Sequence, residues 1–65
     1  MKTAPNIPDR DGFYEALIAA QDGLSDADCE AFLLRFALLL ANQIGDQQIL
    51  LATLAAARAM VGARE

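Results

Sequence analysis

The sequence has no histidine and a single cysteine, Cys29. Each scarcity closes off chemistry. Without histidine there is no imidazole for general-base catalysis and no histidine–metal site. One thiol cannot build a structural zinc site, and it cannot form a disulfide within the chain. Glycine-rich phosphate loops are also missing. Gly12, Gly23, Gly45 and Gly62 are spaced as helix punctuation instead. Basic residues are few: five Lys and Arg against nine Asp and Glu, for a net charge of −4. That balance disfavours nucleic acids and anionic membrane surfaces, both of which attract basic patches. No internal repeat or low-complexity linker is present.

What the sequence does hold is apolar and helix-forming. Hydrophobic residues make up 55% of 65 residues, slightly above the roughly 45–50% of ordinary domains. Much of that content is alanine and leucine, both good helix formers. A domain of about 60 residues buries only about 60% of the surface of its unfolded chain and is marginal alone. Small domains add a disulfide, a metal or a partner chain. With the first two excluded, a partner chain remains.

The apolar stretch from Ala31 to Ile44 carries Arg35, Asn42 and Gln43. At about 14 residues it falls short of the roughly 20 that a membrane span needs. Met1-Lys2 is followed by Thr-Ala-Pro-Asn and not by an apolar core of a signal peptide. With one cysteine, this gives the expectation of a cytoplasmic protein.

The expected organisation is a flexible arm over 1–8 and one helical domain over 9–65, with helices at about 12–22, 26–44 and 47–61. Asp9 and Asp11 are both candidate N-caps for the first helix. Phe13, Leu17 and Ala20 share its inner face, with Tyr14 and Ile18 beside them. Gly23 is placed to end it in a left-handed conformation. Ser25 caps the second helix, with Asp28 three residues on, as in a capping box. Asp26, Asp28 and Glu30 put negative charge where the helix dipole favours it. Gly45 ends that helix and Asp46 caps the third, which Gly62 is expected to stop. Arg58 and Arg64 near the end of the third helix have the favourable sign. The two-residue link Gly45-Asp46 forces an antiparallel hairpin or a steep corner. The expected fold is all-α: a short N-terminal helix followed by a helical hairpin. It is a three-helix mini-bundle, completed by oligomerisation.

At about 100° per residue, Asp28, Ala31 and Asn42 fall within about 40° of Arg35 and form a narrow polar stripe. Cys29, Leu33, Ala37, Leu40 and Ile44 lie on the far side and are expected to be core, flanked by Leu34 and Phe36. Phe32, Leu38 and Leu39 sit within about 60° of Arg35, where two flanking helices cannot cover them. These three, with Arg35, are the candidate interface. Arg35 reads equally as a solvated residue and as an interface anchor. On the third helix, Leu50, Leu54, Ala57 and Val61 form a stripe backed by Ala52, Ala55, Ala56 and Ala59. That alanine face reads as a solvated surface or as a place for close approach of another helix.

No constellation of catalytic residues appears, so the expectation is a protein that is not an enzyme and holds no cofactor or metal. Cys29 lies near a helix N-terminus but on the expected core face, with no base to activate it, and reads as structural. Tyr14 reads as a packed aromatic with a wet hydroxyl. Asp26 and Glu30, one turn apart, read as a solvated acidic face. A helix-turn-helix reader of DNA fits poorly, because the third helix offers alanines and a single Arg58.

The segments Phe13-Tyr14-Glu15-Ala16-Leu17 and Leu40-Ala41-Asn42-Gln43-Ile44-Gly45-Asp46, with Gly23-Leu24-Ser25 and Leu54-Ala55-Ala56-Ala57-Arg58, resemble a family of short proteobacterial proteins of unknown function. The likeness covers roughly Pro5 to Arg58. Members of that family are often encoded beside flavin-dependent aromatic monooxygenases and other catabolic enzymes. The resemblance transfers no functional residue. It implies an accessory subunit of a larger enzyme, beside the expectation from the residues themselves, a homodimer or higher homo-oligomer.

Overall fold

Three carboxyl and hydroxyl side chains start the three helices. Asp9 accepts the Gly12 N–H at 3.0 Å, Ser25 accepts the Asp28 N–H at 3.1 Å, and Asp46 accepts the Ile49 N–H at 3.1 Å. Each bond satisfies an amide that the helix itself leaves free. In the computed structural model, which describes residues 5–63, the helices are α1 (Arg10–Ala19), α2 (Asp26–Ile44) and α3 (Gln47–Ala63). The fold is all-α, with no strand among the described residues. Residues 1–4 of the expected arm, and Arg64, lie outside the described part.

The start of α1 shows that Asp9, not Asp11, is the cap, so the helix begins two residues earlier than expected. It also ends earlier, at Ala19. From there the backbone tightens: the N–H groups of Gln21, Asp22 and Leu24 donate to the carbonyls of Ile18, Ala19 and Gln21. These are three-residue steps, the geometry of a 3₁₀ turn rather than an α-helix. Gly23 then takes φ 79°, the left-handed conformation expected of it. The bounds of α2 are those expected, 26–44. Gly45 closes it at φ 66°, with its N–H donating to the Ala41 carbonyl. Gly62 does not stop α3. A glycine ends a helix by turning left-handed, and Gly23 and Gly45 are the two described glycines with positive φ.

Of the two geometries open to the Gly45-Asp46 link, the structure takes the corner, not the hairpin. No pair of helices lies side by side along its length. The molecule extends 35 × 28 × 27 Å with a radius of gyration of 13.3 Å. A compact domain of this length has a radius of about 10.7 Å. The mini-bundle is therefore open in the single chain.

The core corrects the sequence reading most. No described residue is fully buried. Of the expected core set, Cys29 is half-buried, while Leu33, Ala37, Leu40 and Ile44 are exposed. The inner face of α2 is instead Cys29, Phe32 and Phe36, which face α1. For Ala37, Leu40 and Ile44 the cause is the length of α1. Ten helical residues span about 15 Å, which reaches along α2 only about as far as Phe36. Beyond that point α1 has nothing left to lay on α2.

Candidate interaction surface

Three rings tie α1 to α2. Phe13 and Phe36 approach to 6.2 Å between centroids at 31°. Phe36 and Phe32 stand 6.3 Å apart, nearly parallel at 6°. Spacings of 4.5–7 Å are those at which aromatic pairs attract. Leu17 on α1 is half-buried with them. At the base of this contact, Gln21 donates from its side-chain amide to the Leu17 carbonyl at 3.0 Å, and the Cys29 thiol points at the Gln21 carbonyl at 4.0 Å. Cys29 thus has a structural place at the joint between α1 and α2. Tyr14, expected to pack, stands 62% exposed on the outside of α1.

With that seam fixed, the four candidate interface residues separate. Phe32 turns inward onto Phe36 and does not stand free. Arg35 is exposed. Leu38 and Leu39 are exposed at 62% and 67%. They lie on opposite flanks of Arg35, about 100° apart, so they do not form one patch. Leu39 borders the aromatic seam. Leu38 belongs to a different face, the one opposite the rings, with Leu34 and Ala41. On that face Leu34 is 63% exposed. The sequence reading had treated Leu34 as a flank of the core.

The apolar stripe of α3 is uncovered in the same way. Leu50 is half-buried at the corner, but Leu54 is 66% exposed, and Val61 and Met60 are also exposed. The whole chain exposes 5838 Å². A folded monomer of 6.9 kDa exposes about 4,000 Å² by the usual scaling with mass. The surplus is about 1,800 Å² on that scaling.

Polar chemistry is sparse beside this. Among the described residues, no three of Cys, Asp or Glu come together to hold a metal ion. Among them too, no helix is long and apolar enough to cross a membrane. The surface that distinguishes the molecule is apolar, and it lies on α2 and α3.

The family model "Protein of unknown function (DUF2783)" matches residues 1–59. The chain belongs to this family. Neither the curated proteins nor the solved structures contain a match. The family match spans all of α1 and α2 and most of α3, so the corner and its uncovered faces lie inside it.

Proposed function

We propose that this chain is a small non-catalytic interaction module that completes its fold by associating with copies of itself. The observation that carries the reading is the absence of any buried described residue beside a surplus of about 1,800 Å² of surface. An apolar face is stable when another apolar face covers it. The acidic net charge points to a protein partner and away from nucleic acid. A closed dimer with two-fold symmetry is the commonest solution for a soluble chain. The same faces would serve in an accessory subunit of a flavin-dependent catabolic enzyme, the reading that the resemblance suggests. That reading requires a second, different chain, and self-association does not.

Light scattering on the purified full chain tests this. At micromolar concentration the molar mass is expected to be a multiple of 6.9 kDa. Replacing Leu34 and Leu54 together by Lys is expected to weaken association at least tenfold, because charges placed in a desolvated contact cost several kcal/mol. A helical protein with the mass of one chain would refute the proposal. An unchanged mass in the double variant would place the contact on the rest of the apolar surface.

A further inference from the structure

The two long helices carry matching seams. On α2, Glu30, Leu34, Ala37, Ala41 and Ile44 are spaced alternately by four and three. On α3, Leu50, Leu54, Ala57 and Val61 repeat the same spacing. Residues spaced this way form one line along a helix that faces a neighbouring helix. Lay the two lines antiparallel, with Ala41 against Leu50. Ala37 then faces Leu54, Leu34 faces Ala57, and Glu30 faces Val61. In each of the first three layers a leucine meets an alanine, so the seams interlock at short range. Arg58, on the flank of the α3 line, comes beside the acidic start of α2 with Asp26, Asp28 and Glu30. The charges are complementary in that register.

In the single chain only the layer nearest the corner is partly covered. Ala41 and Leu50 are half-buried. One to two turns further out, Leu34 and Leu54 are the exposed residues described above. The corner is held from both sides. Gly45 is fixed by its bond to the Ala41 carbonyl, and Asp46 by its bond from the Ile49 N–H. With the corner so held, α3 does not lie along its own α2.

We propose that the seams close between two copies: α3 of each chain lies along α2 of the other, in the register that sets Ala37 against Leu54. This inference rests on the self-association reading and adds its geometry. The exchange gives α2 a neighbour beside its own α1, and gives α3 a helix along its length. A pair of chains that returned to the surface usual for their mass would bury about 3,600 Å² in all, inside the 2,000–5,000 Å² range of permanent dimers.

The test uses the full chain with Cys29→Ser. One preparation carries Ala37→Cys and a second carries Leu54→Cys. The two are mixed, allowed to exchange and oxidised. A mixed disulfide dimer is expected as the main product, severalfold over either self-linked dimer. A third preparation carries both cysteines in one chain and is expected to yield covalent dimers. A double variant that stays a monomer with an internal disulfide would overturn the exchange in favour of closure within the chain. A protein dimeric by light scattering but giving no mixed disulfide would overturn the register and leave self-association standing. If either cysteine variant loses its helix signal, nuclear magnetic resonance on unmodified, mixed-isotope protein decides instead. A contact between the Ala37 and Leu54 methyl groups across chains is expected, and its absence overturns the geometry.

Discussion

Diluting the protein is expected to unfold it and not merely to separate its chains. Each chain alone has no fully buried described residue, so it has little hydrophobic stabilisation to set against the entropy of ordering the backbone, about 1–2 kcal/mol per residue. Folding and association are then one equilibrium. A tenfold change in concentration is worth about 1.4 kcal/mol to a two-chain equilibrium, or roughly 5 °C in melting temperature at this size. Thermal melts followed by far-ultraviolet circular dichroism, over a hundredfold range of concentration, are expected to shift by about 10 °C. At the lowest concentrations the helix signal falls even at room temperature. Melts that superimpose at all concentrations would mean that one chain is stable alone.

The second large effect is expected at Phe36. Its ring is the middle member of the three-ring cluster, touching Phe13 on α1 and Phe32 on its own helix. Replacing a fully buried phenylalanine by alanine costs about 3–5 kcal/mol. Phe36 is half-buried, so about 2 kcal/mol is the expected loss for Phe36→Ala. The loss is local in its first consequence. A ten-residue helix is marginal in isolation, and α1 is held to α2 chiefly by this ring. Amide hydrogen exchange in Arg10–Ala19 is expected to accelerate well before that of α2. Phe32→Ala, which removes only the ring stacked along α2, is expected to cost less. Equal effects at Phe32 and Phe36 would show that α1 is held by something other than the Phe13 contact.

The helix boundaries were legible in the sequence because they rest on local chemistry. Ser25 and Asp46 each bond an amide three residues ahead, and Gly45 needs only its own left-handed φ. These features depend on a few neighbouring residues, so α2 could be bounded at both ends. Gly62 misled because a glycine near a helix end has the option of turning left-handed, not the obligation. The inner face of α2 was harder to read, since its apolar residues run nearly all round. Choosing Arg35 as the outside put the core on Leu33, Leu40 and Ile44. The actual choice was made by the short reach of α1 and by the three phenylalanines, which set the inside on Cys29, Phe32 and Phe36. Counting the length of α1 against that of α2 would have found this.

The candidate surface was legible in kind and misplaced in detail. The sequence has more apolar side chain than one short chain can cover, and the structure leaves it uncovered. Leu38 stands exposed as expected. Phe32 does not, because an aromatic partner lies within reach. Leu34 reads from the sequence as a flank of the α2 core and Leu54 as part of the α3 stripe, and both stand exposed. It is the corner at Gly45-Asp46 that keeps them apart in the single chain.

Small-angle X-ray scattering from the full chain at micromolar concentration tests the central claim most directly, because it gives mass and shape together. Self-association predicts a mass of at least twice 6.9 kDa and the scattering of a filled, globular particle. A mass of one chain with a radius of gyration near 13.3 Å would mean that the open corner exists free in solution, and would contradict the account.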